Sequence, residues 1–162
     1  MKKLLLMIAL SLPTLLFSQS KWNADIGGGT LIIKKDVGAS AHFGIGYQAS
    51  KHVMVNLNTV FSKPKSNDFD IKYDYNQVSL GVEYNFIPES NLGISSVMGF
   101  SYVHFGDNIP LKHNDGIGID LGVRLAYELS EHFNFGFKMV NTYTSISPGG
   151  ILLTDIFLRY NF

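Results

Sequence analysis

A chain of 162 residues with no cysteine, 46% hydrophobic residues and 13 basic against 13 acidic side chains is of single-domain size and carries no disulfide framework. So balanced a charge excludes gripping nucleic acid by phosphate neutralisation. Charged residues reach only 16%, against about 25% in soluble domains, so a charged surface is not what suits this chain to its environment.

The first residues, MKKLLLMIALSLPTLLFSQS, set Lys2 and Lys3 before an apolar run and a small residue, Ser18. This predicts a secretory signal peptide over residues 1–18, too short in its uninterrupted apolar part to span a membrane as a helix. Cleavage after Ser18 is preferred and cleavage after Ser20 is the alternative. The expected mature chain is a single domain, 19–162, with 11 basic residues once Lys2 and Lys3 are gone, against 13 acidic ones.

Beyond the signal the period is two, the period of strands, and no apolar stripe holds helical spacing. Eight runs follow. Residues 22–33 set Trp22, Ala24, Ile26, Thr30 and Ile32 on one face. Residues 39–49 oppose Phe43, Ile45 and Tyr47 to His42, Gly44 and Gly46, and 53–62 oppose Val55, Leu57 and Phe61 to Met54, Asn56 and Asn58. Residues 73–86 carry Val78, Leu80, Val82, Tyr84 and Phe86, and 92–104 carry Leu92, Ile94, Met98, Phe100 and Tyr102. The cleanest run alternates Ile117, Ile119, Leu121, Val123, Leu125 and Tyr127 with Gly118, Asp120, Gly122, Arg124, Ala126 and Glu128. A seventh sets Phe133, Phe135, Phe137 and Met139 against Asn134, Gly136 and Lys138, and the last covers 152–162.

Connections at 50–52, 88–91 and 130–132 are short, whereas 63–72 and 105–116 are long and rich in Gly, Pro and Asp. Residues 34–38 and 145–150 are expected to be shorter loops of this second kind, which places every short connection at one end. GYQASKHV, EYNFIPESNL, AYELSEHFN and RYNF read as one hairpin echoed four times.

Volume decides which face looks inward. An eight-stranded barrel has room inside for little more than its own side chains, so the face of Gly, Ser and Asn belongs within and the bulky apolar face without. The strand-core charges Asp25, Glu83, Asp120, Arg124, Glu128, Lys138, Asp155 and Arg159 all share the small-residue face. On a lipid-facing strand each charge would cost roughly 2–4 kcal/mol at mid-bilayer. The predicted fold is therefore all-β, an eight-stranded antiparallel up-and-down transmembrane β-barrel with a polar interior. Tyr47, Tyr84, Phe86, Tyr127, Phe133 and Tyr160 are expected to form an aromatic girdle at the short-turn side, and Phe61, Tyr102 and Tyr143 to lie near the loop side. Asn76, Ser96 and Asn141 share the outward parity, the two asparagines expected near an interface.

With its signal peptide, its eight alternating strands and the ending LRYNF, the chain resembles the small eight-stranded outer-membrane β-barrels of Gram-negative bacteria, of the outer-membrane protein A-like and porin-family type. The resemblance spans essentially all of 19–162. It implies residence in the cell outer membrane among its lipids, a monomeric state, and assembly by the barrel-assembly machinery, with Leu158, Tyr160 and Phe162 as the signal that machinery reads. No cofactor and no nucleic-acid partner is implied.

The interior charges Glu83, Asp120, Arg124, Glu128, Lys138, Asp155 and Arg159 are expected to pair and fill the lumen, since narrow, buried charges persist chiefly when paired; the competing reading is a narrow ion path. The leading expectation is a structural barrel or minor pore. A lipid-A-modifying enzyme is the runner-up and a soluble lipocalin-like carrier the third. For an enzyme, His104 has outward parity, but Ser96 lies eight residues away, over about 20 Å along a strand, so an acidic partner and a nucleophile must come from elsewhere. His42, His52, His113 and His132 show no metal-ligand spacing, and the GGG of 27–29 precedes no helix that could cradle phosphate.

Overall fold

The computed structural model describes residues 21–68, 70–106 and 114–162; the expected signal peptide and the middle of the 105–116 loop, with His113, lie outside them. Eight strands run in order: β1 Trp22–Ile33, β2 Asp36–Gln48, β3 Val53–Ser62, β4 Tyr75–Asn85, β5 Leu92–Phe105, β6 Asp115–Ser130, β7 Phe133–Thr144 and β8 Ser147–Asn161. Each pairs antiparallel with its sequence neighbour, and β1 closes on β8, from Asn23 beside Asn161 to Ile33 beside Ile151. Closure leaves no strand edge with unpaired backbone groups.

The alternation fixes the two faces. Outward stand Ile26, Phe100, Met98, Ile117 and Leu121, the first four more than 60% exposed. Inward and buried stand Asp25, His42, Glu83, Asp120, Arg124, Lys138, Asp155 and Arg159. This polarity is the reverse of a soluble carrier, whose apolar face lines its cavity. Inward glycines make room: a Cβ on Gly44 would overlap Asp25 and Asn58, and one on Gly136 would press on the Phe157 ring at 2.7 Å.

Two of the expected loops are tight turns. β2 begins at Asp36, leaving residues 34–35 as the turn, with Lys34 in the left-handed region at φ 56°. β8 begins at Ser147, leaving residues 145–146; the irregular register beside Thr142 and Thr144 is absorbed by Gly149 and Gly150 at φ 106° and 81°. Short connections therefore occur at both ends. The physical reason is pairing: Val37 pairs with Ile32 and Ser147 with Thr144, so backbone partners extend strands through polar and glycine-rich sequence.

The interior is not uniformly polar. At the loop end Leu31, Ile33, Val60, Tyr73, Tyr75, Val103, Phe105, Ile151 and Leu153 form an apolar cluster inside the barrel. The Phe105 ring meets those of Tyr75 and Tyr73 at 5.5 and 6.0 Å. The connection between β3 and β4 folds over the top as a strap. Lys65 N donates to Val37 O, Tyr73 N to Pro64 O and Gly106 N to Asp74 O, while Tyr73 Oη donates to Asp36 Oδ2 at 3.0 Å. Burial first, then the Asp36 carboxylate, raises the Tyr73 phenol above its ordinary range, so it remains a donor.

Candidate functional site: the charged belt of the lumen

Below that plug, β1, β4, β6 and β8 aim four charged side chains at one another. Arg124 Nη2 donates to Asp25 Oδ2 at 2.5 Å and Arg124 Nη1 to Glu83 Oε2 at 2.9 Å. Arg159 Nη2 reaches the same two oxygens at 3.2 Å each. Asn56 Nδ2 also donates to Glu83 Oε2, at 3.3 Å. The Arg124 guanidinium lies 3.7 Å from the centre of the buried Phe157 ring, a cation–π contact removed from water. Two arginines bridged by two carboxylates thus span the lumen.

On the loop side of this latch His42 stands between two carboxylates. Nδ1 is 3.0 Å from Asp155 Oδ2 and Nε2 is 3.6 Å from Asp25 Oδ1. Ser40 Oγ donates to the other Asp155 oxygen at 2.9 Å. Asp120 anchors a second node without a cation: Ser101 Oγ and Thr142 Oγ1 donate to Oδ1 at 2.9 and 2.7 Å, and Gln77 Nε2 donates at 3.2 Å. Tyr75 Oη donates to Gln77 Oε1 at 2.6 Å, joining this node to the apolar plug.

Of the residues expected to pair, Glu83, Arg124 and Arg159 meet. Asp120 and Asp155 instead take hydroxyl, amide and imidazole partners. Lys138 is buried, flanked in register by Arg124 and Asp155, and lines a cavity of about 30 Å³ with Asp120, Gln77 and Thr142. Glu128 stands exposed at the short-turn mouth, outside the latch. The reason lies in strand geometry: Asp120, Arg124 and Glu128 share a face but succeed one another by about 13 Å, so a partner for Arg124 comes from across the lumen. The sequence reading missed Asp25 as a hub, His42 and Phe157. Phe157 was detectable as an aromatic on the small-residue face of β8, between Gly27 and Gly136 in register.

The other candidates lie on the surface. Tyr47, Tyr84, Phe86, Tyr127, Phe133 and Tyr160 are exposed around the short-turn end, with Phe133, Tyr160 and Phe162 in contact, ring to ring, at 5.1 and 5.0 Å. Leu158 is exposed on the same outward face. Phe61, Tyr102 and Tyr143 are exposed toward the loop end. His104 Nδ1 lies 2.7 Å from Asp115 Oδ1, which also accepts from Tyr102 Oη at 2.6 Å. Its register partners are Asn76 and Asp115, so none of the residues flanking His104 is a serine, threonine or cysteine; Ser96 pairs with Tyr84 at the other end of β5. Among the described residues no three His, Asp or Glu side chains gather in a geometry able to hold a metal ion.

No family model and no curated protein matches the chain. Solved structures do. The N-terminal β-barrel domain of Pseudomonas aeruginosa OprF aligns with a TM-score of 0.64 at 18% identity, over 89% of this chain and 100% of that one. A major outer-membrane protein of Thermus thermophilus aligns with a TM-score of 0.66 at 14% identity, over 88% and 99%. The fold is that of the eight-stranded outer-membrane β-barrels. The outer-membrane enzyme PagL shares it too, with a TM-score of 0.57 at 11% identity over 86% of this chain and 99% of that one.

Proposed function

We propose that the protein is a monomeric barrel of the outer membrane, exported by a cleaved signal peptide, whose role is structural and whose lumen is closed to ions. The supporting observation is two closures in series: the bridge of Asp25, Glu83, Arg124 and Arg159, and the apolar cluster of Leu31, Tyr73, Tyr75 and Phe105 under the β3–β4 strap. An ion crossing the lumen must part a desolvated charge network and then an apolar plug. The exposed apolar band supports lipid as its surroundings. No charged side chain stands among the exposed apolar residues of β6 between Ile117 and Tyr127, where about ten steps of 3.3 Å at barrel tilt cover some 25 Å of hydrocarbon. The reading is tested by conductance of the refolded barrel in a planar bilayer, with Arg124→Ala and Tyr73→Ala as probes of the two closures.

A second reading, a lipid-modifying enzyme, draws on the His104–Asp115 pair and on the shared fold of PagL. The pair supplies a base and its orienting acid, but among the described residues no serine, threonine or cysteine stands beside them, so water or the Tyr102 hydroxyl would have to serve. Release of acyl chains from lipopolysaccharide by the purified barrel, abolished in His104→Ala, would establish this reading over the structural one.

A further inference from the structure

Beside the Asp120 node a cavity of about 30 Å³ opens inside the lumen, lined by Lys138, Asp120, Gln77, Thr142, Asn58 and Ser79. Lys138, on β7, is 5% exposed. The other carboxylates of the belt are taken, Asp155 by His42 and Asp25 and Glu83 by the two arginines. Among the described residues Lys138 Nζ makes no hydrogen bond and no ion pair, and the Asn58 amide and the Ser79 hydroxyl make no hydrogen bond either. None of these groups is sealed. The unpartnered atoms that the fold closes to water are others, Arg124 Nε and Asp155 Oδ2 among them, so Lys138, Asn58 and Ser79 keep their polar atoms open to the space they line. Asp120 has acceptor capacity left as well: Oδ1 accepts from Ser101, Thr142 and Gln77, whereas Oδ2 takes the single bond from Gln77 at 3.3 Å.

Size and charge select what fits. A water needs about 10–15 Å³ of such space and two to four polar partners, so the cavity has room for one or two molecules of that size. The Lys138 ammonium repels a cation. An anion meets the Asp120 carboxylate in the same wall, within a belt where Asp25, Glu83, Asp120 and Asp155 face Arg124, Lys138, Arg159 and His42, so no excess of positive charge invites it. Lys138 needs an acceptor and Asp120 Oδ2 can take a donor, and a neutral molecule of this size that does both is water. We propose that this cavity is a buried hydration site, holding one or two ordered waters that accept from Lys138 and donate to Asp120. The lysine is thereby solvated inside the lumen instead of ion-paired, and the site stands on the folded barrel alone, whether or not the lumen conducts.

The test is a crystal structure of the refolded full-length barrel, grown with bromide as the only halide, at a resolution that shows ordered water and with anomalous data collected at the bromine edge. One or two light-atom peaks are expected in the cavity, one of them within about 2.7–3.2 Å of Lys138 Nζ, with no anomalous peak there. An anomalous peak would make it an anion site, and a cavity without density, or Nζ bonded directly to Asp120 or Asp155, would show that no water solvates the lysine; each overturns the proposal. In Lys138→Met, whose folding is confirmed by heat-dependent gel mobility, the peak next to residue 138 is expected to be lost, and waters retained unchanged would overturn the assignment to Lys138. Should that variant not fold, transfer of magnetisation from water to the Lys138 side chain in the wild-type barrel in micelles replaces it, with transfer expected and its absence counting against the site.

Discussion

Glu83 and Arg159 meet across the lumen, Oε2 to Nη2 at 3.2 Å, and each immediately precedes the tripeptide Tyr-Asn-Phe. The surroundings repeat as well. His52 stacks on Tyr84 at 5.6 Å with Nδ1 2.9 Å from Asn85 O, and His132 packs on Tyr160 at 5.7 Å with Nδ1 3.1 Å from Asn161 O. A carbonyl only accepts, so Nδ1 carries the proton in both rings. Tyr47 to His52 and Tyr127 to His132 supply the two matching hairpin ends, so the echo in the sequence is a two-fold repeat of half-barrels. At one equivalent inward position the two halves hold opposite charges, Glu83 and Arg159, and these pair.

Arg124→Ala removes one of the two guanidinium groups shared by Asp25 and Glu83 and leaves Arg159 as the one arginine bridging the two buried carboxylates. Breaking a buried ion pair from one side costs about 3–5 kcal/mol. The variant is expected to unfold at clearly lower urea than wild type in detergent. An unchanged midpoint would mean that solvent already screens the belt.

Leu121→Arg tests which face meets lipid. Leu121 is 43% exposed in the middle of β6, and arginine there is expected to cost about 2–4 kcal/mol in a bilayer but little in a detergent micelle that adapts around it. The check is urea-dependent folding into vesicles, followed by Trp22 fluorescence. Equal stability of variant and wild type in vesicles would contradict an outward lipid face.

Tyr73→Phe removes the hydroxyl given to Asp36 at 3.0 Å while keeping the buried ring. A loss of about 1 kcal/mol is expected, and Tyr73→Ala, which leaves a cavity in the apolar plug, is expected to lose about 3–5 kcal/mol. Proteolysis of the β3–β4 strap should rise in the same order. Equal resistance in both variants would show that the strap is held by its other hydrogen bonds and not by the Tyr73 side chain.

Deleting Phe162 removes an edge-on contact to Tyr160 at 5.0 Å. In-cell assembly is expected to fall far more than the stability of barrel refolded in detergent, measured as outer-membrane yield against thermal gel mobility. Equal losses in the two assays would reduce the terminal aromatics to packing.

Strand number, order and facing were legible in the sequence because a period of two is written in each strand separately: β1 and β3 have the predicted bounds. What was not legible depends on how strands line up. The starts of β2 and β8 are set by pairing of Val37 and Ser147 with the neighbouring strand. Which charge meets which is set by stagger around the barrel, so Asp25 from β1 reaches Arg124 from β6 while Glu128, on the same strand as Arg124, does not. The apolar plug was hidden for a related reason. Leu31, Val103 and Ile151 fall on the inward parity singly, and only closure gathers them.

Conductance of the wild-type barrel in a planar bilayer tests the central claim, a membrane barrel closed twice along its lumen, most directly. Insertion without steady ionic current is the predicted result, and current is expected only when the Arg124 bridge and the Tyr73 plug are removed together. A stable open conductance in wild type would contradict it.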